Sequence, residues 1–136
     1  KTRQIVMLYD GVISFVQRAK EAMLNKNFQD HFNHIDRAGK IVTGLQASLD
    51  YDNGGKVARI LESYYINMFA RIMQLIQSRT EPDYEKIVEE MKTMRDAWEH
   101  IDEKNSSESE QKSPISQQAM EHVVEQAYAS GISVSV

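Results

Sequence analysis

Apolar residues recur at intervals of three and four along most of this chain, which contains only two prolines, Pro82 and Pro114. Such spacing puts apolar side chains on one face of an α-helix, because a helix has about 3.6 residues per turn. The alternation typical of a strand extends over four or more residues only in the C-terminal stretch ISVSV. The chain is therefore predicted to be all-α.

Four long amphipathic segments are separated by polar breaks, glycines and a proline. We place them at residues 2–24, 28–49, 57–77 and 82–104. Pro82 suits a first helical position, where its missing N–H would have no helical partner anyway. Because the connections are short, neighbouring helices should run antiparallel. The pattern predicts an antiparallel up-down four-helix bundle.

The chain divides into three parts by composition. Residues 1–104 form the predicted bundle domain, and residues 105–114 are a polar, Ser-rich linker. Residues 115–136 resume an amphipathic stripe, stopped at Gly131, and predict an additional short C-terminal helix with an extended tail. We hypothesise that this helix packs on the bundle and shields a binding groove; the simpler alternative is a fifth helix that completes the fold.

The stretch ASLDYDNGG begins like a calcium-binding loop. Such a loop needs side-chain oxygens at positions 1, 3 and 5 and a glutamate at about position 12. Counted from Asp50, position 5 is Gly54, position 6 is Gly55 and position 12 is Leu61, so two of the required ligands are missing. Asp50, Gly54 and Gly55 are therefore predicted to form a structural corner between two helices, with no metal.

Composition excludes several classes of protein. The chain has no cysteine, so disulfides and thiol chemistry are excluded. Its net charge is −4, from 16 basic and 20 acidic residues, and a nucleic-acid partner is not expected because phosphate binding requires a basic face. No apolar run reaches the roughly 18 residues of a membrane span, and no signal-peptide pattern is present. We expect a cytoplasmic protein without membrane insertion.

The first and third segments carry more apolar surface than a bundle helix needs. Besides a core stripe through Leu8, Val12 and Phe15, the first has a second stripe, and the third is apolar almost all round. This surplus indicates a groove for an amphipathic segment of another protein. Its predicted lining residues are Val6, Tyr9, Ile13, Val16, Tyr65, Phe69, Met73 and Ile76. Alternatively, the C-terminal helix or a second subunit of a homodimer covers the surplus.

The residues of a catalytic site are not arranged in any recognisable motif. His31 and His34 lie three residues apart without the glutamate of a zinc-binding HExxH sequence. The stretch HIDRAGK loosely resembles the active helix of a histidine phosphotransfer domain, with His34 as the phosphorylated residue and Arg37 as the nearby cation. We expect neither enzymatic activity nor a cofactor, and keep two alternatives: phosphotransfer through His34 and a purely structural bundle.

Three stretches together resemble one protein family. They are IVMLYDGVISFVQRAKEAM at 5–23, LQASLDYDNGGKVARILESYYINM at 45–68 and MRDAWEHI at 94–101. In order and spacing they are similar to the flagellar secretion chaperone FliS family, with its MLYDG-type first helix, its SLD-x-x-x-GG corner and its DAW-type end of the fourth helix. The resemblance covers residues 1–104.

This resemblance implies a helical bundle that binds the disordered C-terminal segment of flagellin. It implies further that the chaperone prevents premature polymerisation in the cytoplasm and delivers flagellin to a component of the flagellar type III export gate. The corner at Asp50 to Gly55 then matches the family's structural turn. Such a role requires no catalysis, because a disordered client can be held over a large area and still be released.

Overall fold

The structure, a computed structural model, describes residues 2–107, with side chains described as far as Lys104. It consists of four helices: α1 (Thr2–Leu24), α2 (Phe28–Ala47), α3 (Tyr51–Ser78) and α4 (Glu81–Ser107). No strand occurs within this described range, so the prediction of an all-α chain with four helices is confirmed. The additional C-terminal helix is predicted beyond residue 114 and lies outside the described residues.

The helices form a four-sided bundle in which α1 has the most extensive packing. It lies closely against both α2 and α4, while α2 also packs on α3 and the seam between α3 and α4 is the most open. Arg3 near the start of α1 pairs with Glu99 near the end of α4 at 3.0 Å, and Lys20 pairs with Glu85 at 2.9 Å. These two pairs show that α1 and α4 run antiparallel.

Local sequence explains where the helices begin. Asn27 caps α2 by accepting the backbone N–H of Asp30, and Asp50 caps α3 by accepting that of Asn53. Because Asp50 starts a helical turn at once, α3 begins at residue 51 and not at the predicted 57. At the same end of the bundle, α4 continues to Ser107, three residues into the stretch predicted as linker.

Two hydrogen bonds from tyrosine hydroxyls connect helices through the core. The Tyr9 hydroxyl donates to that of Tyr65 at 3.0 Å, and the Tyr64 hydroxyl donates to the sulfur of Met91 at 3.4 Å. Burial raises the pKa of Tyr65 to about 12 and raises that of Tyr9 well above its usual value. These phenols therefore stay neutral and connect α1, α3 and α4 through the centre of the bundle.

Candidate functional site

A strip of apolar side chains reaches solvent along the outer side of α2 and α3. We call it the α2/α3 apolar face and define it by five residues: Phe32, Ile66, Phe69, Met73 and Ile76. Phe32, Ile66 and Phe69 are 48%, 52% and 37% exposed, while Met73 and Ile76 are partly buried and pack against the core. Exposed large apolar side chains gathered along one seam are typical of a protein-binding surface.

Helical periodicity in α3 generates this face. Ile66, Phe69, Met73 and Ile76 follow one another at steps of three, four and three residues, which aligns them along one stripe of the helix. Opposite the stripe, α2 presents Gly39, where an added Cβ would lie 2.5 Å from the Met73 methyl and 3.1 Å from the Phe69 ring. The glycine thus lets both side chains lie directly on the α2 backbone.

Charged side chains at the edge of the face interact with neighbouring groups. On α2, Asp36 and Lys40 form an ion pair with each other at 3.1 Å. At the end of the seam, the Arg79 guanidinium lies over the Phe28 ring at 4.3 Å from its centroid, and Phe28 is itself exposed. Recognition on this face would therefore depend on apolar contact more than on charge.

The structure divides the eight residues predicted to line a groove into two groups. Phe69, Met73 and Ile76 lie on the α2/α3 apolar face. The other five are buried in the core and offer no groove wall in this structure: Val6, Tyr9, Ile13, Val16 and Tyr65. The reason is that α1 packs on two neighbours, α2 and α4, so the stripe interpreted as surplus is core and Leu8, assigned to the core, is exposed at its edge.

Two residues of the face are absent from the groove predicted from the sequence. The spacing assigns Phe32 to the core stripe of the second helix, and Ile66 has no predicted role. The signal for Ile66 is nevertheless present, because it continues the Phe69 and Met73 stripe one turn earlier. For Phe32 the spacing is misleading. The residue fits the apolar stripe of Ile35 and Val42, yet it lies near the α3-facing edge of α2 and its side chain is 48% exposed.

A smaller apolar patch lies at the seam of α1 and α2. Met7 and Leu8 are exposed there, and nothing lies within 4 Å of a Cβ built on Gly44. Further along the seam, Phe15 stacks on His34 with ring centroids 5.9 Å apart. With only two exposed large apolar residues, this patch offers less area than the α2/α3 apolar face.

The corner is built from one capping carboxylate and one glycine with positive φ. The Asp50 carboxylate accepts the backbone N–H of Asn53 at 3.1 Å and its side-chain amide at 2.7 Å. Gly55 has φ of 50° and ψ of −123°, which breaks α3 after its first turn. Gly54 donates its N–H to the Asp50 carbonyl at 2.7 Å. The carboxylate is thus engaged in holding the turn.

Histidine chemistry has little support from the geometry. His34 is half-buried, with its ring against Phe15, and His31 is buried with its Nε2 2.6 Å from the Tyr84 hydroxyl. Within residues 2–107, no three histidine or carboxylate side chains are placed to hold a metal ion. None of the described helices combines the length and the hydropathy needed to cross a bilayer.

A four-helix bundle with a capped corner and one outer apolar face defines a class, the helical bundles that bind other polypeptides. Comparison with known proteins narrows the class to one family. The family model described as flagellar protein FliS matches residues 1–105. The chain belongs to the FliS family of flagellar secretion chaperones, which are not enzymes.

Individual relatives agree with this assignment. The flagellar secretion chaperone FliS of Campylobacter jejuni is 28% identical over 97 residues, covering 71% of this chain and 76% of that protein. The one from Escherichia coli strain K12 is 30% identical over 95 residues, covering 69% and 70%. The one from Salmonella typhimurium is 28% identical over 103 residues, covering 75% and 76%. The resemblance seen in the sequence is thereby confirmed.

Proposed function

We propose that this chain binds the disordered C-terminal segment of flagellin in the cytoplasm, prevents its premature polymerisation and hands it to a component of the flagellar export gate. Family membership supports a chaperone role in flagellar secretion. The observation that carries the binding mode is the α2/α3 apolar face, a strip of apolar side chains that is exposed to solvent.

The geometry of the face suits an amphipathic segment that folds as it binds. The α3 stripe from Ile66 to Ile76 spans about 15 Å, the length of about ten helical residues. A client helix laid along the seam could place side chains at positions i, i+3, i+4 and i+7 against it. Since the client loses conformational entropy on binding, affinity stays moderate and release remains feasible.

The experiment is a calorimetric titration of the full chain with the C-terminal segment of flagellin from the same source. We expect saturable, near-equimolar binding with a negative heat-capacity change, which is the mark of apolar burial. Phe69→Asp should abolish binding, because it places a charge in the middle of the face. Circular dichroism of each variant establishes that the bundle is still folded.

Met7→Asp is the matched control. It also replaces an exposed apolar residue by aspartate, but on the α1/α2 seam, so flagellin binding should be unchanged. Loss of binding in Met7→Asp with binding kept in Phe69→Asp would move the client to the other seam. No binding by any folded variant would overturn the proposed function.

A homodimer that uses the same face is the competing explanation for the exposed side chains. Sedimentation velocity separates the two, because a dimer interface on this face would dissociate in Phe69→Asp and persist in Met7→Asp. A monomer at all concentrations would leave the face available to a client.

A further inference from the structure

We propose that the C-terminal segment of this chain, residues 115–130, occupies the α2/α3 apolar face when no client is bound and so lowers the apparent affinity for the client. This inference rests on the proposed function, since it concerns regulation of the same surface. Three features support it: the exposed face, the place where the described chain ends, and the length and pattern of residues 108–130.

The described chain ends at the same end of the bundle at which α3 begins. Arg3 pairs with Glu99 and Asp102, which places the end of α4 beside the start of α1. Arg71 of α3 pairs with Glu90 of α4, and in antiparallel helices this sets Ile66 at the level of about residue 95. Ile66 therefore lies about 18 Å along the bundle from Ser107. Because α3 lies between α4 and the α2/α3 apolar face, the lateral distance is about one and a half helix diameters, roughly 15 Å.

The intervening residues are long enough to cover that distance. Residues 108–114 are polar and Ser-rich, and seven extended residues span up to about 24 Å. The direct separation from Ser107 to Ile66 is about 23 Å when the axial and lateral distances are combined, and a segment that meets the seam on the Ser107 side of Ile66 has less distance to cover. A helix over residues 115–130 would then extend about 24 Å along the seam, more than the roughly 15 Å of the α3 stripe.

The apolar pattern of residues 115–130 suits the exposed α2/α3 apolar face. On a helical projection its apolar residues cover about half the circumference, and Gln117, Gln118, Glu121 and Glu125 lie on the other half. Those on the apolar side are Ile115, Ala119, Met120, Val123, Val124 and Ala127. The face presents an exposed apolar strip, and the segment presents an apolar strip of similar length. The α1/α2 patch has only Met7 and Leu8, so it would leave most of the apolar half of the segment uncovered.

Two double variants of the full chain test the proposal. Val123→Asp with Val124→Asp puts two charges on the apolar side of the segment, and Gln117→Asp with Gln118→Asp adds the same charge on its polar side. If the segment competes with the client, the first variant should bind the flagellin segment at least about fivefold more tightly, because the competent fraction of the chain rises. The second should bind as the unmodified chain does.

The position of the C-terminal segment can be measured without any client. The chain contains no cysteine, so spin labels attach only at introduced positions. We expect a short, narrow distance distribution between labels at Thr43→Cys, on the α3-facing side of α2, and Gln117→Cys. A pair at Asp96→Cys and Gln117→Cys should be longer. Adding the Val123→Asp and Val124→Asp changes should lengthen and broaden the first distribution.

The two proposals fail in different ways. Equal client affinity in both double variants, or a label distance that Val123→Asp and Val124→Asp leave unchanged, would overturn docking of the segment while the chaperone function stands. Absence of client binding in every variant would overturn the proposed function, and the spin-label distances would still decide where the segment lies.

Discussion

At the scale of single residues, the hydroxyls of Tyr9 and Tyr65 meet in the centre of the bundle. Each is the hydrogen-bond partner of the other at 3.0 Å, and both side chains are buried. A buried hydroxyl that loses its partner retains its desolvation penalty without the compensating bond. This pair therefore holds α1 and α3 in one relative position across the diagonal of the bundle.

Removing either hydroxyl of this pair should destabilise the bundle. Tyr9→Phe and Tyr65→Phe are each expected to lower the free energy of unfolding by about 1–2 kcal/mol, since each leaves a buried hydroxyl without its partner. The double variant should lose less than the sum of the two. Urea unfolding of all four proteins gives the coupling, and strict additivity would contradict the bond.

His31 makes stability depend on pH. It is 1% exposed, and its pKa is lowered from 6.5 mainly by burial, then by the positive charge of Arg79 and by His34. The unfolded chain therefore takes up a proton at a higher pH than the folded chain does. Stability conferred by the neutral ring is complete above about pH 6.5 and declines as the pH falls from there through the lower, folded-state pKa.

We expect the difference in unfolding free energy between the chain and His31→Gln to shrink on acidification from about pH 7.5 to about pH 5. Chemical unfolding of both proteins at several pH values measures this difference. A constant difference across that range would show that His31 is protonated equally in the two states.

The same residues show what sequence alone could and could not supply. The spacing of Val6, Tyr9, Ile13 and Val16 correctly marks an apolar stripe, but two apolar stripes on one helix do not reveal which side faces the core. The side that faces the core depends on the neighbours of α1. One of these neighbours is set by contacts between residues 85 or more positions apart in sequence, as in the Asp10 to Arg95 pair. Phe69 and Met73 were predictable as an unburied stripe because α3 is apolar on more sides than its neighbours can cover.

At the scale of helices, the corner before α3 shows how local signals set a boundary. The sequence marks Asp50 as a turn residue. In the structure α3 begins directly after it, because the Asp50 carboxylate accepts a backbone N–H of the first helical turn. The break comes at Gly55, where φ is 50°. The first turn of α3 is therefore a separate piece joined to the main helix through one glycine.

Two glycine substitutions with opposite outcomes test this account. Gly55→Ala should lower the free energy of unfolding by about 1–3 kcal/mol, because φ of 50° with ψ of −123° strains any residue that has a Cβ. Gly44→Ala, inside α2, should instead raise it by about 0.5–1 kcal/mol. In both cases a built Cβ meets nothing within 4 Å, so only the backbone differs.

Thermal unfolding of the two variants provides the measurement. Equal effects of the two substitutions would mean that Gly55 does not hold its positive φ in solution.

At the scale of the whole molecule, packing is uneven among the four seams. α1 is buried against α2 and α4, whereas the seam of α3 and α4 is open and lined partly by polar side chains such as Arg71 and Gln74. Local opening should reflect this distribution, because segments with few buried contacts open at lower free energy.

We therefore expect amide hydrogen exchange to be slowest in the middle of α1, around Val12 to Ala19, and faster in the half of α4 after Trp98. Exchange measured by mass spectrometry or NMR on the unliganded chain gives the order directly. Slowest exchange in α4 would contradict the central position of α1.

Ile13→Asp also tests the central position of α1, because a charge at this buried site should unfold the bundle as a whole.

The pairing of α1 with α4 also has a consequence for synthesis on the ribosome. Arg3 and Glu99 are separated by 96 positions, so α1 leaves the exit tunnel long before its partner exists. Until α4 emerges, the apolar side of α1 can be covered only by α2 and α3, and the bundle cannot close. This chaperone must therefore complete its own folding after its four described helices have been translated, and until then its nascent chain is itself exposed to aggregation.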